Sequence, residues 1–269
     1  GIPCFGFQTS GMHTYLPGVS DALAAIAARM TDPDAVMRPG TVNILGATPL
    51  DFSTNGNVPA LKRLLENAGW KVISTFAMDS TLEDIRRAGE AQVNLVISGT
   101  GSKAAQVLKQ KFHTPCVTGT PVGQEFSAVI LDKLAETART GKDALAFSGI
   151  FVPDDSTIFI LGEGVTSRSL SAALALECGI SARVIHTLED LPQLAGVLTP
   201  ADAAASEEEE LQELLRDASV VIADPLYRPI VPAGCRFLPL PHEAFSGRIG
   251  RAQIPVLPTL DLKRWYPDR

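Results

Sequence analysis

Apolar residues in this chain come in short blocks of four or five rather than in long runs. The blocks near residues 41–45, 93–97, 157–161 and 220–223 each end in Gly, Ser or Asp. Most of the stretches that follow place apolar residues three and four positions apart. Uninterrupted apolar blocks suit parallel strands covered on both faces, since half-exposed strands alternate apolar and polar positions. The pattern predicts strands over 2–7, 41–45, 70–76, 93–97, 116–118, 157–161, 182–186, 220–223 and 236–240. It predicts helices over 18–30, 58–68, 81–91, 103–112, 124–140, 167–178 and 207–216. Strands alternating with helices of about ten residues imply right-handed crossovers and parallel sheets. The fold class expected is α/β, with two Rossmann-like domains whose parallel sheets carry helices on both faces.

The segment 141–155 is rich in Gly, Pro, Asp and Ser, and the strand–helix pattern restarts after it. Two domains are therefore expected, 1–147 and a smaller one over 148–269. The length of 269 residues suits that division. A formal charge of −7 and the lack of a basic stripe argue against a nucleic-acid partner. The longest apolar windows are far too short to span a bilayer, so no membrane partner is expected. The chain does not begin with Met, which suggests a piece of a longer protein. Its four cysteines, Cys4, Cys116, Cys178 and Cys235, are widely spaced without a Cys-x-x-Cys pair. That spacing predicts reduced, mostly buried thiols in a cytoplasmic protein and no self-contained zinc or iron–sulfur site.

Candidate chemistry gathers in loops after strands, where functional side chains concentrate. The turn Ser98-Gly99-Thr100-Gly101-Ser102 joins a strand to a helix and places backbone N–H groups at a sheet edge. The polar loop Thr9-Ser10-Gly11-Met12-His13 precedes the first helix and suits a bound cofactor or anion. The late segment Pro239–Arg248 carries His242, Ser246 and Arg248 on a loop with two prolines. An imidazole there could ligate a metal or move a proton near neutral pH. Arg168 and Arg248 are candidate anion contacts. Gly162-Glu163-Gly164 resembles a dinucleotide fingerprint, but Ser167 stands where its third glycine belongs, so NAD is not expected. The Gly-Lys-Ser/Thr of a P-loop and the Gly-x-Ser-x-Gly of an α/β-hydrolase do not occur.

Read in order, several segments resemble the nitrogenase component 1 family. Cys4-Phe5-Gly6-Phe7 is similar to the Cys-Glu-Gly-Phe opening of the second domain of the nitrogenase α subunit, and Ser20-Asp21-Ala22 to its Asn-Asp-Ala. Val42-Asn43-Ile44-Leu45-Gly46 resembles a family strand. Residues 51–69 resemble its "Asp…Leu-Lys-Arg-Leu-Leu-Glu…Gly" helix. Asn94-Leu95-Val96, Thr114-Pro115 and Pro121-Val122-Gly123 follow in family order, and His242 to Gly247 resembles its late His-to-Gly loop.

The resemblance covers only the second and third of three family domains. It implies an iron–sulfur or related metal cluster in the full-length protein, with none held by this part alone. It implies a homo- or hetero-oligomer with a paralogous subunit, and electrons from an ATP-dependent iron-protein reductase. The cluster-anchoring cysteine falls opposite Ser98 and the anchoring histidine opposite His242. A further cofactor-side histidine falls opposite Leu16, with His13 close by. A serine hydroxyl is a poor iron ligand beside a thiolate. The cofactor-binding residues expected are therefore Thr9, Ser10, Gly11, His13, Ser98, Gly99, Thr100, Gly101, Ser102, Ser246 and Arg248, around an interdomain cleft. His242 is the expected catalytic proton donor or metal ligand. The function expected is a nitrogenase-like oxidoreductase component acting on an unknown substrate, with a tetrapyrrole or another conjugated or sulfur-containing molecule as the candidates. The alternative is a non-catalytic scaffold or ligand-binding protein using the same cleft. A third reading is a two-lobed binding protein of the periplasmic type.

Overall fold

The computed structural model describes residues 4, 6, 9, 11–150, 152, 153, 155–188 and 192–266. Most of the predicted strand 2–7 falls outside them, and so does Ser10.

The chain enters through α1 (Tyr15–Met30), then β1 (Thr41–Leu45), the single turn α2 (Pro49–Phe52) and α3 (Asn57–Asn67). There follow β2 (Lys71–Ser74), α4 (Leu82–Arg86), β3 (Val93–Val96), α5 (Ser102–Phe112), β4 (Cys116–Thr118), α6 (Glu125–Thr140) and β5 (Ala144–Leu145). These five strands form one parallel sheet in the order β2-β1-β3-β4-β5. The second half runs β6 (Ile158–Gly162), α7 (Gly164–Cys178), β7 (Arg183–His186), β8 (Ala203–Ala204), α8 (Glu208–Leu214), β9 (Val220–Ala223), β10 (Arg236–Pro239) and α9 (Leu262–Trp265). Its five strands are also parallel, in the order β10-β9-β6-β7-β8.

The α/β expectation holds, and the two sheets differ in winding. The first has the 2-1-3-4-5 order of flavodoxin-like sheets, and the second the 3-2-1-4-5 order of a Rossmann half. Each order reverses direction once. The switch points lie between β1 and β3 and between β6 and β9, so loops after those four strands are where ligands bind.

The central strands are buried throughout: β1, β3 and β9 expose none of their residues. One continuous apolar core joins residues of both sheets, from Ile44 and Leu95 through Phe126 and Ile130 to Ile160, Val184 and Ile222. Helices α6 and α7 pack on each other, and α9 returns onto α7. The last segment is stitched to the first half by Asn57. Its Oδ1 accepts Leu257 N–H at 2.8 Å, and its Nδ2 donates to Pro255 O at 3.0 Å.

Several boundaries differ from the sequence pattern. The helix expected over 81–91 is α4 followed by a 3-10 turn (Arg87–Glu90), which carries the chain directly into β3. Helix α7 begins at Gly164, ahead of the expected 167, because the Glu163 side chain caps it. Arg168, expected as an anion contact, is fully buried on α7. Its Nη1 donates to Ser171 Oγ at 3.2 Å, its Nε lies 3.6 Å from Asp202, and it sits over the Phe147 ring. Burial lowers its pKa, partly offset by Asp202. The apolar face of α7 carries it into the core, out of reach of a solvent anion. Of the four thiols expected to be mostly buried, Cys4 is exposed and the other three are half-buried.

Candidate functional site

Three carboxylates hold the switch-point loops together. The first belongs to Asp51, on α2 just beyond β1, with its side chain 1% exposed. Its Oδ1 accepts the Tyr15 hydroxyl at 2.6 Å. Its Oδ2 accepts the hydroxyls of Thr48 at 2.7 Å and Ser98 at 3.0 Å. The Thr100 hydroxyl lies 3.1 Å from the same oxygen and 2.7 Å from Ser98 Oγ. His242 Nε2 lies 3.7 Å from Oδ1, beyond hydrogen-bond distance. Burial acts to raise the Asp51 pKa, but the adjacent imidazole of His242 and the Tyr15 and Thr48 hydroxyls outweigh it. The net shift is downward, and the group is a carboxylate. Burial and the Asp51 charge drive the Tyr15 phenol well above its ordinary range, so it remains a donor.

The second carboxylate is Glu163, at the end of β6. Its Oε1 accepts N–H groups from Gly99, in the first half, and from Val165, each at 3.0 Å. Its Oε2 accepts Thr166 N–H at 2.9 Å. One side chain therefore satisfies the start of α7 and the β3 turn together. It also fills the position a dinucleotide phosphate takes at a helix N-terminus, in keeping with the fingerprint's missing glycine. The third is Asp224, at the end of β9. Its Oδ2 accepts His242 N–H at 2.7 Å and its Oδ1 accepts Leu226 N–H at 2.9 Å.

The β3 turn is built for close approach. A Cβ on Gly101 would lie 2.5 Å from the Leu45 carbonyl carbon, so only glycine lets the turn cross β1. Ser102 closes the turn by donating to Gly99 O at 2.7 Å.

His242 stands between aromatic rings. Its centroid lies 6.0 Å from Tyr15 and 4.9 Å from Phe245, and Phe245 meets Tyr227 edge-on at 5.8 Å. His242 Nδ1 accepts Ala244 N–H at 3.3 Å. Asp51, Glu163, Asp224, His242 and Phe245 share the wall of a chamber of about 50 Å³, otherwise lined mostly by apolar side chains such as Leu161, Leu170 and Leu257.

Of the residues expected at the cleft, Ser98, Gly99, Thr100 and His242 come together here, with Gly101 and Ser102 shaping their turn. Thr9, Gly11 and His13 are exposed; what their segment brings to the hub is Tyr15. Arg248 points to solvent. The Ser246 hydroxyl is buried, with no hydrogen-bond partner among the described residues. Leu16, opposite a cofactor-side histidine of the family, is fully buried.

The residues present do not fit a cluster anchored at Ser98 and His242. The Ser98 hydroxyl is committed to Asp51, and both ring nitrogens of His242 face protein groups. Among the described residues no group of three His, Cys, Asp or Glu is placed to hold a metal ion. No helix among them is long and apolar enough to cross a membrane.

The sequence profile of the family described as Nitrogenase component 1 type Oxidoreductase matches residues 2–224. A light-independent protochlorophyllide reductase polypeptide of Chlorobium phaeovibrioides is 35% identical over 100 residues, 35% of this chain and 19% of that protein. Its counterpart from Leptolyngbya boryana is 32% identical over 131 residues, 48% of this chain and 25% of that protein. The chain thus spans about a quarter or less of these relatives. Among solved structures, Nitrogenase Cp1 at pH 6.5 aligns over 88% of this chain and 61% of that one, at 13% identity and a TM-score of 0.49.

Proposed function

The chain belongs to the nitrogenase component 1 type oxidoreductase family, and from that premise we propose that it forms the substrate-side part of a nitrogenase-like reductase. A flat, conjugated substrate of the tetrapyrrole kind is received where the two switch points meet; it is far larger than the chamber of about 50 Å³, so the loop that carries His242 and Phe245 must move aside to admit it. Electrons come from an ATP-dependent iron-protein partner through a part of the protein outside this chain. A paralogous or identical subunit completes the assembly. His242 supplies a proton as the substrate is reduced.

The observation that carries this reading is the row of rings Tyr15, His242, Phe245 and Tyr227 beside the Asp51 carboxylate. Aromatic side chains offer a conjugated ring broad apolar faces at little entropic cost. An imidazole among them is a side chain that can carry a proton and pass it on. The names of the relatives, protochlorophyllide reductases, support the substrate class. The Asp51-bound Ser98 and Thr100 hydroxyls support a site for an organic substrate rather than for an iron cluster.

Titration of the chain with protochlorophyllide, followed by its absorbance, tests the reading. Wild type is expected to bind. Phe245→Ala and Tyr227→Ala are each expected to weaken binding by about 2- to 10-fold, the worth of one aromatic contact. Absence of binding by the fully assembled protein, or wild-type affinity in both variants, overturns the substrate assignment.

A further inference from the structure

We propose that Asp51 is the positioning residue for His242, its carboxylate fixing the ring tautomer so that the neutral imidazole carries its proton on Nε2. The proposal deepens, and rests on, the reading of His242 as the cleft's proton carrier.

Asp51 looks at first like a helix cap. It is the third residue of α2, and its own N–H donates to Thr48 Oγ1 at 3.2 Å. A capping box would return the Asp51 carboxylate to the Thr48 N–H. Here that N–H donates to Gly46 O at 2.9 Å instead. The carboxylate accepts side-chain hydroxyls, three of which come from α1 and the β3 turn. It is a hub for the site rather than a cap for its own helix.

Its lone pairs are unequally used. Oδ2 has the hydroxyls of Thr48, Ser98 and Thr100 around it. Among the described residues Oδ1 accepts only Tyr15 at hydrogen-bond distance, and a carboxylate oxygen takes about two donors. The remaining acceptor site on Oδ1 is the one His242 Nε2 approaches, at 3.7 Å. On the other side of the ring, the Ala244 N–H points at Nδ1, which requires a lone pair there. Both neighbours select the same tautomer. The ring cannot readily turn away, because its backbone N–H is tied to Asp224 and its faces meet Tyr15 and Phe245. At 3.7 Å Nε2 makes no hydrogen bond to Asp51, so its proton stays available to a substrate atom in the chamber that both residues wall. The proton is thus kept at the nitrogen beside Asp51, a fellow wall residue of the chamber.

The unit joins elements far apart in sequence. Tyr15 and Asp51 come from the first sheet's side, and His242 from the loop after β10. The pair exists only while the two switch points face each other.

Long-range proton–nitrogen correlation spectra of the ¹⁵N-labelled chain read the tautomer directly. In wild type, with the ring neutral, Nε2 is expected to be protonated and Nδ1 bare. Asp51→Asn removes the anionic acceptor and leaves only the Ala244 N–H to select the tautomer, and is expected to turn the single Nε2–H form into a mixture of the two neutral forms. Phe245→Leu removes ring packing but not the carboxylate, and is expected to keep it. A wild-type ring protonated on Nδ1 or mixed, an Asp51→Asn ring unchanged from wild type, or a Phe245→Leu ring scrambled as in Asp51→Asn would each overturn the assignment. The wild-type spectrum decides even if a variant does not fold. The readout needs neither substrate nor redox partner, so its failure and failure of the proposed reduction are separate results.

Discussion

Replacing Glu163 with Ala removes one side chain and leaves three backbone donors, the buried Gly99 and Val165 and the half-buried Thr166, without their acceptor. Hydrogen bonds to a charged group are worth about 1.5–3 kcal/mol each, and loss of a helix N-cap alone costs about 0.5–2 kcal/mol. Water entering the vacated volume would recover part of the three, so the net cost expected is about 4 kcal/mol. With an unfolding entropy of about 2.1 cal/mol/K per residue, a chain of 269 residues loses about 2 °C per kcal/mol. Calorimetry of Glu163→Ala should therefore show a Tm lowered by about 7 °C. Glu163→Gln keeps one acceptor oxygen but turns an N–H₂ group toward other donors, and should fall about halfway. A drop below about 2 °C in the Ala variant would mean that Glu163 does not hold the two sheets' edges together.

Three further outcomes follow from the same geometry. The Asp51 carboxyl is held below its ordinary pKa of 3.8, so its ionic contribution is present above that pH and is lost as pH falls through the folded-state value. The Tm gap between wild type and Asp51→Asn should accordingly be constant near neutrality and shrink below about pH 4, whereas a pH-independent gap would refute the ionic hub. Gly101→Ala drives a methyl group onto the Leu45 carbonyl and should destabilise by about 3 kcal/mol, read by denaturant unfolding; a neutral effect would contradict the close crossing. Burial, assisted by the Asp143 charge, pushes the Cys116 thiol up to about 12. Iodoacetamide at about pH 8 should therefore label exposed Cys4 and spare Cys116, and equal rates at the two would count against that shielding.

The sheets are legible in the sequence because buried parallel strands announce themselves as unbroken apolar blocks. Nearly every strand of the two sheets lies within a residue or two of such a block. The exceptions are the two-residue edge strands Ala144–Leu145 and Ala203–Ala204, too short to leave a pattern. The β3 turn is legible because Gly99 and Gly101 interrupt an apolar block where a helix must start. His242 is legible as a polar residue on a Pro-flanked loop after a strand.

The carboxylates are not. Thr48-x-x-Asp51 reads locally as an ordinary helix start, and nothing in the local pattern shows that Asp51 bonds to residues 36 and 47 positions away. Glu163 sits inside a fingerprint-like turn, where attention falls on the glycines. Its role as acceptor for Gly99 depends on the packing of one sheet edge against the other. Tyr15 is hidden because the apolar pattern starts the helix at Gly18 rather than at Tyr15. Pro17 stands in the first turn of α1, where its missing N–H costs nothing. Arg168 escapes the pattern because buried arginines are rare, and the apolar face of α7 that carries it inward is broken by four serines and threonines.

The most direct test of the proposed reduction is an assay of the full-length assembly with the proposed partner, an ATP-dependent iron protein, and with ATP and protochlorophyllide, His242→Ala being compared against wild type. Wild type is expected to give product, and the variant a rate lower by about 10²- to 10⁴-fold, the usual worth of a positioned proton donor, with substrate still bound. Wild-type turnover retained in His242→Ala would contradict the proposal.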